Sequence, residues 1–314
     1  MQSNLIQSFQ QPLFFDHNGS IDDYIALITL LTLDRYKLTG ISVCEGEGVG
    51  EASFKHTLAI LDFFCRYDVE VVRGCHKSLN ILLESREHKS ALLKDLDVFP
   101  QKKINDIKIC DEEAADFMAR KITEQDGKTI VILTCSAGNF SNMIRKYPSV
   151  LEKIDKVLWV AGAFLADGDV VAPDHDGSAE WNIFLNPQAA DSLLASGVPV
   201  MLFPLDAGSL LPVDNYFMYH LGKGSRKQIS SLVYKLIEPN YKLNDPVYLN
   251  SVLPAVYLGM PENFEFESKS IKIEQRGTSK GNIYKTSLGQ RIKHVARVDE
   301  EGYYEFLIKQ FRQF

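Results

Sequence analysis

One stretch near the amino terminus constrains the fold more than any other: Pro12-Leu13-Phe14-Phe15-Asp16-His17-Asn18-Gly19-Ser20-Ile21-Asp22-Asp23-Tyr24-Ile25. An apolar run with strand character breaks at a Gly-Ser turn, then resumes with Ile21, Ile25, Ile28 and Leu31 on a helical period. The segment is predicted to be a strand, a tight loop and a helix. Asp16 and Asn18, two apart, leave the strand end on the same side, and Asp22 and Asp23 occupy the first helical turn. Side-chain oxygens therefore converge at the carboxyl end of the first strand, where open α/β sheets bind ligands. Acidic residues in a first turn also complement the helix dipole, so the density of oxygens carries the implication rather than any single carboxylate. Such a set suits a hard divalent cation, Ca2+ above all, which takes about 6–8 oxygen ligands. Two templates fail. An EF-hand loop counted from Asp16 wants Gly where Ile21 stands and Glu where Leu27 stands, and an Asp-x-Asp phosphatase wants a carboxylate where Asn18 stands.

With 314 residues, 45% hydrophobic and 24% charged, the chain can bury a large core, and it reads as one soluble domain over residues 1–314. The formal charge of -7 argues against a nucleic-acid surface. Residues 1–11 are too polar for a signal peptide, and no apolar run reaches the about 18 residues of a membrane span. Five cysteines, at 44, 65, 75, 110 and 135, lack paired spacing and read as reduced thiols of a cytoplasmic protein.

Strands and helices alternate along the chain. Lys37 to Val43 reads as a second strand, Glu51 to Phe64 as an amphipathic helix and Val69 to Val72 as a third strand. Glu112 to Glu124 reads as a helix and Thr129 to Leu133 as a buried strand. This order implies an open, mainly parallel, Rossmann-like α/β sheet with helices on both faces. Residues 75–110, with the charged run Glu84 to Lys89, are weakly patterned, a candidate lid or a solvated excursion. After Leu133 a turn of small residues, Thr134 to Asn139, leads into a helix ending near Pro148, and it lets backbone carbonyls approach a ligand. Lys156 to Val160 is the next strand.

A second polar stretch follows, Pro173-Asp174-His175-Asp176-Gly177-Ser178-Ala179-Glu180-Trp181-Asn182. Glu180 and Asn182 flank an aromatic residue just before a helix, a spacing suited either to gripping a polyhydroxylated ligand or to capping. Asn186-Pro187 starts the next helix, with Asn as cap and Pro in its first turn. Val198 to Phe203 is a strand ending in Pro204-Leu205-Asp206. Asn244-Asp245-Pro246 is predicted to open a helix running to Leu258, with Asp245 as its cap or as a further acidic site. Short strands through Ile273, Ile283 and Val295 and a helix from Glu300 close the chain.

These segments resemble the inosine/uridine-preferring nucleoside hydrolase family, whose amino-terminal signature is Asp-x-Asp-Pro-Gly-x-Asp-Asp. Thr134 to Asn139 lies at the family's Gly-Pro-Leu-Thr-Asn turn, and Val160 to Phe164 resembles its Met-Gly-Gly-x-Phe. Ala179-Glu180-Trp181-Asn182 is similar to its Ala-Glu-Phe-Asn, and Pro204-Leu205-Asp206 and Asn244-Asp245-Pro246 complete the order. The resemblance implies Ca2+-dependent hydrolysis of the N-ribosidic bond of a small-molecule ribonucleoside, and a homodimer or homotetramer. It places the ion on Asn18, Asp23, the carbonyl of Gly138 and Asp245, and the ribose on Asp22, Glu180, Asn182, Asp174 and Glu47. Carboxylates and an amide set in pairs bind ribose hydroxyls and favour an oxocarbenium-like sugar.

The chain departs from that pattern where it matters. Asn18 stands where the family has the Asp that binds the ion and accepts the water's proton; an amide oxygen can ligate Ca2+ but is no general base. Asp16, on the same side of the strand, is the candidate to compensate. Ser20 replaces the signature Gly, Glu47 stands where Asn is common, and Asn244 replaces a late His that acts as leaving-group acid in some members. The alternative function is therefore a catalytically impaired nucleoside- or ribose-binding relative acting as a sensor or scaffold.

Overall fold

Alternation within the first strand decides the layering. In β1 (Gln11–His17), Leu13 and Phe15 point into one hydrophobic core and Phe14 into another. The same split recurs in β5 (Thr129–Leu133), β6 (Ile154–Val160) and β7 (Val200–Phe203), so both faces of the sheet are covered and the strands read as unbroken apolar runs. This is a computed structural model, and it describes residues 10–44, 50–74, 103–208, 211–224, 226–243 and 247–313.

The remaining described strands are β2 (Tyr36–Val43), β3 (Glu70–Arg73), β4 (Ile109–Cys110), β8 (Phe264–Ile273), β9 (Ile283–Lys285) and β10 (Gln290–Val298). They form one ten-stranded sheet in the order β4-β3-β2-β1-β5-β6-β7-β10-β8-β9. Every pairing from β4 to β10 is parallel, and β10·β8 and β8·β9 are antiparallel. The mainly parallel α/β sheet that the alternation implies is the observed one, with an antiparallel edge added by the closing strands. One core is completed by helices α1 (Ile21–Leu31), α2 (Gly50–Phe63), α7 (Asn215–Lys223), α8 (Gln228–Lys242), α9 (Leu253–Gly259) and α10 (Glu300–Gln313). The other is completed by α3 (Ala114–Thr123), α4 (Gly138–Lys146) and α6 (Pro187–Leu194), with the short α5 (Trp181–Leu185) between strand and α6.

The strand order places β1 between β2 and β5, with the chain working outward in one direction through β2, β3 and β4 and in the other through β5, β6 and β7. That is the topological switch point, where the crossovers diverge and a crevice opens at the carboxyl ends of the strands. Asp16 and Asn18 stand at that end of β1, and Thr134 and Cys135 at that end of β5.

Two expectations need correcting. The helix predicted from Pro246 begins only at Leu253. Tyr248 forms a bridge to Pro212, a single 3-10 turn spans Asn250–Val252, and Pro254 lies in the first turn of α9. Proline lacks an N–H and disfavours helical geometry in the residue before it, so Pro254 is tolerated where a helix starts and would break one entering from upstream. The candidate lid also extends too far. Residues 75–102 of it lie outside the described residues, but Ile109–Cys110 is β4, an edge strand hydrogen-bonded to β3. Among the described residues, no helix is long and apolar enough to cross a membrane.

Candidate active site

The loop between β1 and α1 is folded around one carboxylate. Asp23 is fully buried, and its Oδ2 accepts the backbone N–H groups of Asn18 (3.1 Å), Gly19 (2.8 Å) and Ser20 (3.1 Å). Ser20, the helix cap, accepts the Asp23 N–H in return at 3.4 Å, completing a reciprocal box that secures the helix start. Gly19 is required here. Its φ is +80°, and a Cβ would lie 2.3 Å from the Ser53 Cβ. Burial, reinforced by the charge of Asp22, pushes the Asp23 carboxyl up to about 7. Its second oxygen, Oδ1, is buried with no hydrogen-bond partner. His17, with Nδ1 3.8 Å from Asp23 Oδ2, is pushed down to about 3 by burial and stays neutral.

Asp16 is a second hub. It is wholly buried, and its Oδ1 accepts from the Ser42 hydroxyl (2.6 Å), the Asn139 amide (3.1 Å) and the Cys44 thiol (3.4 Å). The Asn139 amide also reaches Oδ2 at 3.2 Å. These donors come from β2, the residue after it and the start of α4, so the carboxylate ties the end of β1 to the end of β2 and to the first turn of α4. Desolvation raises its pKa to about 6 against the pull of those hydrogen bonds.

Asn18 and Asn182 meet across the crevice. The side-chain amide of each donates to the Thr134 carbonyl at 3.4 Å, and Asn182 donates to the Val160 carbonyl at 2.9 Å. Both side-chain oxygens, Asn18 Oδ1 and Asn182 Oδ1, are buried without a partner. Glu180 precedes them as the cap of α5. Its Oε1 accepts from Asn182 N (2.9 Å) and its Oε2 from Gly162 N (3.1 Å) and Ile183 N (3.2 Å). Of the two readings that the Glu180–Asn182 spacing permits, capping is realised for Glu180, while Asn182 is left with an oxygen to offer. Burial first, and then the charge of Asp169, push the Glu180 carboxyl up to about 8.

The other anticipated residues divide. Asp22 is half-buried, holds the Ser20 hydroxyl on Oδ1 and accepts the Ser251 N–H on Oδ2 at 2.9 Å. Asp174 is exposed, on the loop between β6 and α5. That loop is gathered by Asp206, whose carboxylate accepts the N–H groups of Phe164 (2.8 Å), Leu165 (2.6 Å) and Ala166 (3.0 Å). Gly138 is the first residue of α4, where carbonyls point along the helix axis. The carbonyl set beside Asn18 and Asn182 is that of Thr134. Glu47 and Asp245 lie outside the described residues. Sequence reasoning misses Ser42 and Cys44 as partners of Asp16, and Ser251 as a partner of Asp22. Nothing local marks Ser251, but Ser42 and Cys44 sit at the end of a strand that must neighbour β1.

A doubly wound sheet whose switch point gathers buried carboxylates and amides has the architecture of an α/β enzyme, with its ligand crevice at the carboxyl ends of the strands. The chain belongs to the inosine-uridine preferring nucleoside hydrolase family, whose model matches residues 13–305, and is an N-glycosyl hydrolase. An uncharacterized protein of Schizosaccharomyces pombe is 24% identical to it, over 95% of this chain and 97% of that protein. Uridine nucleosidase 1 of Arabidopsis thaliana is 22% identical, over 90% of this chain and 83% of its own length. The fold is shared with an inosine-uridine preferring nucleoside hydrolase from Bacillus anthracis, at a TM-score of 0.88 and 21% identity, covering 97% of this chain and 100% of that one. A plant nucleoside hydrolase superposes with a TM-score of 0.83 at 18% identity, covering 97% of this chain and 99% of that one.

Proposed function

We propose that this chain hydrolyses the N-ribosidic bond of ribonucleosides to free base and ribose with Ca2+ held at the switch point. The observation that carries this reading is the trio of buried oxygens without hydrogen-bond partners, Asn18 Oδ1, Asp23 Oδ1 and Asn182 Oδ1. Leaving a buried acceptor unsatisfied costs about 1–3 kcal/mol, so three in one crevice point to a bound group that supplies what the protein withholds. Oxygen donors from a carboxylate and an amide fit a hard cation. Asn18 and Asp23 would hold it, with Asp245 as a third side chain and the carbonyl of Gly138, from the family resemblance, as the backbone donor. A cation held by these residues would supply acidity and orientation to the attacking water.

The protein's own groups do the rest. Asn182 and Glu180 position the ribose, the amide through its unpartnered Oδ1 and the carboxylate by fixing the start of α5. Asn18 cannot take a proton, and Asp16 is enclosed among Ser42, Cys44 and Asn139 with no exposure. Asp22, half-buried at the head of α1, is the signature carboxylate open to substrate, and we assign proton acceptance from water to it. Those of the surrounding carboxyl groups that are ionised favour positive charge on the ribose as the bond to the base breaks. Reduced cysteines support a cytoplasmic setting, and the family resemblance supports a homodimer or homotetramer.

The test is release of free ribose from a panel of purine and pyrimidine ribonucleosides, with added Ca2+ and with chelator. Chelator-sensitive release is expected. Absence of release from every nucleoside overturns the reading, and heat stabilisation by nucleoside in that case would leave a binding protein.

A further inference from the structure

Beside the oxygen-lined crevice lies a cluster of different chemistry. The Cys44 and Cys135 sulfurs are 3.6 Å apart, and Cys44 Sγ is 3.4 Å from Asp16 Oδ1. The ligand atoms of all three residues lie within 4.8 Å of one another, and all three side chains are buried. Among the described residues this is the one such grouping of histidine, cysteine and carboxylate side chains. The residues come from the ends of three adjacent strands, β2, β1 and β5, so the sheet itself fixes their separation.

Two of those separations fit a tetrahedral ligand geometry. Tetrahedral zinc binds sulfur at about 2.3 Å and carboxylate oxygen at about 2.0–2.2 Å, so its S···S edge is about 3.8 Å and its S···O edge about 3.6 Å. The observed 3.6 and 3.4 Å fall within a few tenths of an ångström of both. The surroundings also suit an ion. The Asn139 amide donates to Cys44 Sγ at 3.0 Å and to Asp16, and the Ser42 hydroxyl donates to Asp16 at 2.6 Å. Donors of this kind orient and hold ligands from outside the coordination sphere. The Trp159 indole N–H fixes the turn by donating to the Cys135 carbonyl at 3.0 Å. Gly74 closes the cluster: a Cβ there would lie 2.9 Å from the Asn139 amide nitrogen and from the Cys44 backbone.

We propose that Asp16, Cys44 and Cys135 form a binding site for a thiophilic divalent cation of the zinc type, distinct from the oxygen site of Asn18 and Asp23. Three protein ligands leave a fourth position open, and each thiol releases its proton to solvent as its sulfur bonds the ion. Soft thiolates select against Ca2+, and oxygen ligands select for it, so two neighbouring sites on one strand end sort two kinds of cation.

The test uses full-length, fully reduced protein stripped of metal, titrated with Cd2+ or Co2+ and followed by thiolate-to-metal charge-transfer absorption, with Zn2+ as competitor. One equivalent giving a charge-transfer band that Zn2+ displaces is expected. Cys44→Ser and Cys135→Ser should each weaken binding by at least about tenfold, in line with the loss of a coordinating group. Cys65→Ser, at an exposed cysteine, and Asp23→Asn should leave the band in place. No band in the unaltered protein overturns the proposal, whatever the fate of the variants, and so does a band that survives both Cys44→Ser and Cys135→Ser. Ribose release is a separate readout, so failure here and failure of the hydrolase reading are distinguishable.

Discussion

Asn18 and Asn182, one at the end of β1 and the other at the head of α5, donate their amides to a single acceptor, the carbonyl of Thr134, each at 3.4 Å. The shared acceptor draws both side-chain oxygens into one crevice and leaves both without partners. It also explains how an amide is accommodated at position 18. A carboxylate there would have no hydrogen to give Thr134 and would add charge beside Asp23, which burial already holds at about 7.

Asn18→Asp should therefore have opposite effects with and without Ca2+. With the ion present, the new carboxylate adds a ligand charge and a proton acceptor, and turnover should rise, by up to the ~10²–10⁴ that general-base catalysis supplies. With chelator, repulsion between the introduced carboxylate and Asp23 should lower the melting temperature below that of the natural chain. Ribose release and thermal melts, each run in both conditions, check the pair. Unchanged turnover in Ca2+ would show that another residue already does the work of a base at position 18, as the assignment to Asp22 requires.

Glu180 sets a pH dependence of stability. Its ordinary value is 4.5 and its folded value about 8, raised chiefly by burial. Between those values the folded protein keeps a proton that the unfolded chain has lost, so stability falls as pH rises through this window and levels off above about 8. Glu180→Gln removes this titrating group and should lessen that slope in urea denaturation between about pH 5 and about pH 8, leaving the share contributed by Asp16 and Asp23, whose carboxyls burial also raises. At the acid end of the window it should lower stability, because the glutamine NH2 then faces a backbone N–H that the carboxyl group accepted. An unchanged slope would clear Glu180 of the effect.

How much of this is legible in the chain follows from where each signal lies. The strand-loop-helix of residues 11–31, the buried run Thr129–Leu133 and the Asn186 cap, whose Oδ1 accepts the Ala189 N–H at 3.0 Å, are local and readable from period and residue type. The convergence of Asn18, Thr134 and Asn182 is set by strand order, which no window of sequence records; the family resemblance assigns Asn18 and Asn182 to one site but does not point to Thr134. The helix start at Pro254 is hidden because Pro246 carries the same first-turn signal. The enclosure of Asp16 is invisible because serine and cysteine at a strand end look like ordinary core residues until β2 is placed beside β1.

Gly19→Ala should cost more than a residue of propensity. The φ of +80° alone costs an L-residue roughly 1–2 kcal/mol, and the added methyl would overlap Ser53 in α2. Relief requires the 18–20 loop to shift, and that loop is what carries the three N–H groups onto Asp23. A fall in melting temperature and a fall in ribose release should come together. Combining Gly19→Ala with Ser53→Gly removes the overlap and leaves the backbone strain, so stability should recover in part; no recovery would mean that the strained φ alone accounts for the loss.

Asp23 separates the architectural role of the loop from its role toward a cation. Oδ2 is committed to three backbone N–H groups, and Oδ1 has no partner, so the two oxygens do different jobs. Asp23→Asn can keep the first by turning its amide oxygen toward those groups, but it then presents an NH2 where the unpartnered oxygen was, and a donor repels a cation. The variant should stay folded, with stability reduced by about 0.5–2 kcal/mol as for a weakened helix cap. It should lose any heat stabilisation that Ca2+ gives the natural chain, since that shift follows the occupancy of a site in the folded state. Melts with and without Ca2+ on both proteins decide it. A calcium shift preserved in Asp23→Asn would remove Asp23 from the cation site and leave it as the keystone of the loop alone.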